Sequence, residues 1–311
     1  MQELVNIILD SGRTAVDLAL YLLLPVMVVM MALMKVLEAK GVLDHTARLL
    51  SPPLRLFGVP GNGVFAMLQL LLVSFAAPVA TLAVMDRDGT AKRYIAATLA
   101  MVLAMPQANV IFPMAAVGLN LPAVVFISLV GGLAAAAATF FVFTRSLGPV
   151  HDASTQTAAD SHKKRSSLWN LMIEGGQEAV QIVLGAVPAL LLALFLVNLL
   201  RAVGAIGAAE SFLAPVLSLV DLPSETVLPV ATKFLAGGTA MMGVTMELLQ
   251  EGVMSVVDLN RLAGLLIHPF DLVGVAVLAA SGTRVASVAR PAVAGAVVGV
   301  LVRAVLHMVI F

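Results

Sequence analysis

The sequence predicts an all-α integral membrane protein made of two inverted repeats. Each repeat is expected to hold three spanning helices, an interfacial amphipathic helix and a re-entrant hairpin, giving six spans and two hairpins. Three observations carry this: the composition, an internal repeat, and the way charge divides between equivalent loops. Of the 311 residues 60% are hydrophobic and only 12% charged, with a mean hydropathy of +1.04. Average soluble domains carry roughly 25% charge. Windows at 14–34, 94–112, 121–144, 178–200 and 262–282 are nearly free of charge. Each is long enough to cross roughly 30 Å of hydrocarbon.

Shifted against itself by about 163 residues, the chain falls into register with its own second half. LVNIILDSGRTAV (4–16) lies over LWNLMIEGGQEAV (168–180), pairing Asn6 with Asn170 and Gly12 with Gly176. Further on, Pro25 meets Pro188, Gly41 meets Gly204, Pro60 meets Pro223, Gly89 meets Gly252 and Pro106 meets Pro269. Shared Gly and Pro positions mean shared turns and breaks. The repeats are therefore assigned to 1–145 and 168–311. The polar segment 146–167, ending in Lys163, Lys164 and Arg165, reads as a cytoplasmic linker. The opening residues carry Glu3 and Asp10 and lack a basic leader, so they read as a retained amphipathic lead-in.

Within each repeat a long apolar helix precedes an amphipathic segment, 43–58 or 206–221, whose spacing suits a helix lying in the interface. The stretches 62–85 and 225–248 follow, each with a breaker near its middle: Pro78 in the first, Gly237 and Gly238 in the second. If these stretches crossed the bilayer, the halves would be parallel and equivalent loops would carry like charge. The loops around the first stretch hold Lys35, Lys40, Arg48, Arg55, Arg87, Lys92 and Arg93, whereas their counterparts hold Arg201 and Arg261 among the acids Glu210, Asp221, Glu225, Glu251 and Asp258. Re-entrant stretches invert the second half and put every basic loop on one side, as the positive-inside rule requires. Arg284 and Arg290 then also lie inside, both termini lie outside, and the chain is placed in a plasma (inner) membrane.

Function classes narrow in the same way. The 18 basic and 18 acidic residues cancel, leaving no basic footprint for nucleic acid. Without cysteine there is no disulfide, thiolate metal site or cysteine nucleophile. No nucleophile–base set, phosphate loop or zinc-binding helix motif is visible, so the chain does not read as an enzyme and no cofactor or metal is assigned. The methionines at 27, 30, 31, 34, 241, 242 and 246 read as adaptable packing rather than soft-metal ligands. The run 132–141, GLAAAAATFF, suits close helix packing.

Polar groups at membrane depth are costly and point to function. Lys233 lies in the second stretch, and His268 and Asp271 flank Pro269, which should break its helix. The symmetric position holds Gln107 and Asn109 beside Pro106, and Gln69, Ser74, Pro78, Thr232 and Thr239 extend a polar lining from both stretches. Paired breaks in inverted repeats mark a midplane binding site. These ten residues are the candidate solute or ion site, with a structural ion pair between Lys233 and Asp271 as the competing reading.

The order span, interfacial helix, hairpin, span, span, repeated with inversion, resembles the core of concentrative nucleoside transporters. GVLDHTARLLSPPLRLFGVP and LPVATKFLAGGTAMMG also look like the wider group of Gate, or nucleoside-recognition, membrane proteins. That group includes spore maturation proteins and the membrane region of ferrous-iron transport B proteins. The resemblance implies that the hairpin tips and the broken helices after them line a substrate site. At the first tip the nucleoside transporters carry a Gln-Thr-Glu-Ala-Pro-like run, of which SFAAPVA keeps only Ala77 and Pro78. The cysteines and GTPase of the iron-transport relatives are absent from this sequence. The expected function is alternating-access transport of a small polar solute, with proton or sodium as the open choices of coupling ion. The other readings are a membrane component that docks a protein partner, as spore-maturation relatives suggest, and a passive channel. Assembly into a homo-oligomer is left open.

Overall fold

The computed structural model describes residues 2–75, 77–147, 167–204 and 222–311, and the described residues are helical with no strand. The first half opens with α1 (Gln2–Asp17), a π-helical turn (Leu18–Leu23) and α2 (Leu24–Ala39), a continuous apolar rod over Leu4–Ala39. Pro25, at the start of α2, lacks an N–H and its ring crowds the preceding turn. The wider π turn sits directly before it and relieves that conflict. After Gly41, whose φ of 74° turns the chain, α3 (Val42–Arg55) follows. It buries Leu43, Ala47 and Leu54 while leaving Leu49 71% and Leu56 75% exposed. A helix with one packed and one open apolar stripe suits the interfacial position expected of it.

Next come two short helices, α4 (Gly61–Leu72) and α5 (Ala77–Arg87), which pack on one another across the break that follows Leu72. The Thr81 hydroxyl donates to the Gln69 side-chain carbonyl at 2.6 Å and ties the arms together. Then α6 (Lys92–Ala104) and α7 (Ala108–Ala116) form one helix interrupted at Met105–Gln107. Pro106 forces the interruption: it donates no hydrogen bond, and it drives Met105 into an extended conformation (φ −96°, ψ 157°). The half closes with α8 (Leu121–Ala138) and a second π-helical turn, Thr139–Phe143.

The described part of the second half begins after the linker. α9 (Leu168–Ala202) is a long rod that lies along α1 and α2. Gly175 permits the approach, since a Cβ there would stand 2.7 Å from the Met31 carbonyl. Lys35 bonds Glu178 at 2.9 Å across the same joint. The second amphipathic segment, 206–221, and most of the linker, 148–166, lie outside the described residues. α10 (Val227–Ala236) and α11 (Gly238–Gln250) then pack together around Gly237, whose φ of 88° suits glycine best. α12 (Val256–Leu266) and α13 (Leu272–Ala279) are separated by 267–271, with Pro269 at the centre. Short α14 (Thr283–Ser287) leads into α15 (Ala289–Ile310).

Among the described residues, five helical runs are long and apolar enough to cross a membrane: Leu4–Ala39, Lys92–Ala116, Leu121–Phe143, Leu168–Leu200 and Ala289–Ile310. The sixth expected span, at 262–282, appears instead as α12 and α13, of 11 and 8 residues. At 1.5 Å per residue neither crosses roughly 30 Å alone, so the break shortens what hydropathy reads as one helix.

Tight packing of α15 against α8 holds the centre. The small-residue run expected at 132–141 lies in this contact: a Cβ on Gly295 would fall 1.8 Å from the Thr139 hydroxyl, and one on Gly299 2.6 Å from the Gly131 carbonyl. Side chains also join loops that are remote in sequence. The Asp86 carboxylate accepts the Arg284 backbone N–H at 2.7 Å, and the Arg284 guanidinium donates to the Thr90 carbonyl at 2.7 Å. Asn260 accepts the Asn120 N–H at 2.8 Å and donates to the Gly118 carbonyl at 3.1 Å. Thus the loop after α5 meets the loop before α14, and the turn after α7 meets the start of α12.

Candidate functional site

The breaks in the four helical pairs gather around one cavity of about 220 Å³. Phe75 comes from the first tip, Gly237, Gly238 and Thr239 from the second, Gln107 and Asn109 from the α6–α7 break, and Pro269, Asp271, Val273 and Gly274 from the α12–α13 break. Close approach of the second tip depends on its glycines. A Cβ on Gly238 would lie 2.7 Å from the Gln107 amide nitrogen, and one on Gly237 3.8 Å from the Asp271 carboxylate.

Lys233, fully buried on α10, is hydrogen-bonded and ion-paired to Asp271 across the site. Asp271 also caps α13, its second carboxylate oxygen accepting the Gly274 N–H at 2.8 Å. A carboxylate at a helix N-terminus is favoured by both the unpaired N–H groups and the helix dipole. One side chain therefore fastens the second tip's α10 to the broken helix, and both its oxygens are engaged. Burying two charges is costly, and bidentate satisfaction of the anion with direct contact to the cation is what offsets that cost.

The other sequence candidates divide. Gln107, Asn109, Thr239 and Asp271 line the cavity. Gln69 is buried between the arms of α4 and α5, bonded to Thr81, and works inside the pair rather than at its tip. Thr232 is buried and returns its hydroxyl to the Leu228 carbonyl of its own helix at 2.8 Å. Ser74 and Pro78 are buried beside the first break, off the cavity wall. His268 is fully buried near Phe234 and Phe270, with its Nδ1 accepting the Phe270 N–H at 3.2 Å. Among the described residues no three His, Asp or Glu side chains gather as a metal site.

Sequence reasoning did not single out Phe75, Arg303 or Asn260. Arg303 lies fully buried on α15 and donates to the Ala104 carbonyl at 2.6 Å and the Ala263 carbonyl at 3.4 Å. Ala104 ends α6 and Ala263 lies in the last turn of α12, so the guanidinium meets the carbonyl ends of both interrupted helices. Those ends carry the negative pole of the helix dipole, which a buried cation complements. An arginine inside a 22-residue apolar helix is itself a signal that sequence reading can use.

Comparison with known proteins places this geometry in a fold. The chain superposes on CNTnw in an inward-facing substrate-bound state with a TM-score of 0.66 at 17% identity, covering 94% of this chain and 74% of that one. For an outward-facing variant of CNTnw the TM-score is 0.68 at 16% identity, covering 98% and 82%. An intermediate state gives 0.62 at 17% identity, covering 98% and 86%. The fold is that of these concentrative nucleoside transporter structures. Spore maturation protein B of Bacillus subtilis (strain 168) is 30% identical over 86 residues, 28% of this chain and about half, 48%, of that protein. No family model matches the chain.

Proposed function

We propose that this chain is a secondary transporter that carries a small polar solute by alternating access, bound in the cavity between the two tips and the two broken helices. The observation that carries the reading is the convergence of all four breaks on one polar-lined cavity, in a fold shared with a protein seen facing inward, outward and between. Irregular backbone at membrane depth is tolerated where it is packed in protein or lines a cavity, and here it does both. In this mechanism the α10–α11 pair moves with the solute, and the Lys233–Asp271 contact is made or released as the tip closes or opens on α13. Proton and sodium are the candidate coupling ions.

Inversion of the second repeat is supported by the two loop contacts. The loop 86–90 and the turn 118–120 lie at opposite ends of α6–α7. The first bonds to 284 and the second to 260, so the second-half loops fall at the ends opposite to those of their equivalents. Combined with the basic residues of 87–93 and 284–290, this supports a reading in which those loops face the cytoplasm of an inner membrane and both termini lie outside.

A second reading follows from the spore-maturation match: a membrane component that docks a protein partner. A thermal-unfolding screen of the purified protein against nucleosides, bases, organic acids and amines, with and without sodium, separates the two. A solute-dependent rise in Tm that is lost in Asp271→Asn supports transport. A stable co-purifying partner with no solute response overturns it in favour of docking.

A further inference from the structure

The proposed transport site also has a polarity, and the side chains that set it point to one class of solute. Three helices start at the cavity wall: α7 after Gln107, α11 after Gly237 and α13 after Asp271. Each start directs the positive end of a helix dipole at the cavity, and those of α7 and α11 have no side-chain cap. Asp271, the one carboxylate in the lining, is spent: one oxygen accepts Lys233 and the other the Gly274 N–H.

Gln107 is the independent observation. The residue is 6% exposed and lines the cavity, and its side chain has no hydrogen-bond partner among the described residues. Its two amide N–H groups are therefore free to donate to a bound molecule. Charge does not oppose this: Asp271, the one ionic residue of the lining, is neutralised by buried Lys233.

We propose that the cavity binds a small organic anion, a monocarboxylate whose oxygens accept from the Gln107 amide and from the helix starts of α7 and α11. This rests on the transport-site reading above and names its substrate class. Helix starts of positive polarity select against amines, and a neutral isostere of the carboxylate leaves those helix ends uncompensated.

The test is thermal unfolding of the purified protein with matched pairs: lactate against lactamide, and nicotinate against nicotinamide. The expected result is a rise in Tm of about 3 °C for a carboxylate at roughly ten times its Kd, with little response to its amide. Gln107→Glu, which sets a like charge in the cavity, should weaken carboxylate binding at least tenfold. Gln107→Leu, an apolar side chain of similar length, keeps the test open if the glutamate variant fails to fold, and should also lose the response. A carboxylate response unchanged in both variants overturns the assignment, because the anion then binds elsewhere. Equal or stronger stabilisation by an amide or by uridine, lost in Gln107→Leu, overturns the anion class while the cavity stands as the site. No response to any carboxylate, amide or nucleoside removes the site and the class together.

Discussion

Replacing Asp271 by asparagine separates the two roles that this side chain plays. Asparagine caps a helix about as well as aspartate, so the bond to the Gly274 N–H should persist. What disappears is the charge opposite Lys233, which is fully buried and has no other acidic partner among the described residues. Removing one member of a buried pair costs about 3–5 kcal/mol, because the survivor is left as an uncompensated charge. At 2–4 °C per kcal/mol for a chain of this order of size, the Tm should fall by about 10 °C. Removing both charges, as Lys233→Met with Asp271→Asn, replaces the pair by neutral groups and should return stability to within about 1 kcal/mol of the parent. The coupling between the two sites is then about 3 kcal/mol in a double-mutant cycle, read from thermal or denaturant unfolding in lipid nanodiscs. The folded double variant should still fail to take up solute. Additive losses in the cycle, or an Asp271→Asn protein as stable as the parent, would refute the claim that this contact fastens the second tip.

Two further outcomes follow from the packing. Arg303→Leu removes the guanidinium bond to the Ala104 carbonyl and the longer one to Ala263, whose carbonyl keeps the Ile267 N–H, and should lower stability by about 1–3 kcal/mol in the same unfolding assay. A more stable variant would show that desolvation of the guanidinium outweighs its bonds. Because the sequence has no cysteine, single cysteines at Arg87 and Glu251 report topology directly. An impermeant maleimide should reach the first only from the cytoplasm and the second only from outside, and labelling of both from one side would sink the inverted arrangement.

The parts of this architecture legible from sequence are those where a residue type removes a backbone option. Pro106 and Pro269 cannot donate to the helix ladder, so the breaks at 105–107 and 267–271 could be located before any coordinates. Gly237 marked the second tip because its positive φ suits few other residues. Pairings between distant elements were harder to see. Nothing in a one-dimensional pattern shows that Gln69 reaches Thr81 inside its own helical pair rather than a solute, or that Thr232 bonds back to Leu228. Both were expected in the lining because polarity in an apolar stretch was the available signal, and polarity is satisfied equally well by a local partner. Arg303 shows the converse. Its charge was visible, but the two carbonyl ends it meets lie 199 and 40 residues away. Phe75 lines the cavity because the first break follows Leu72, ahead of Pro78.

Access to the cavity from both faces of the membrane tests the transporter reading without knowledge of the solute. Thr239 lies on the cavity wall at the second tip, and the chain offers no competing thiol. Thr239→Cys should react with a membrane-impermeant thiol reagent applied from either side, in right-side-out and in inverted vesicles, because alternating access opens the same wall to each side in turn. Reaction from one side alone, or from neither, would contradict a transporter and leave the cavity as a closed part of a docking component.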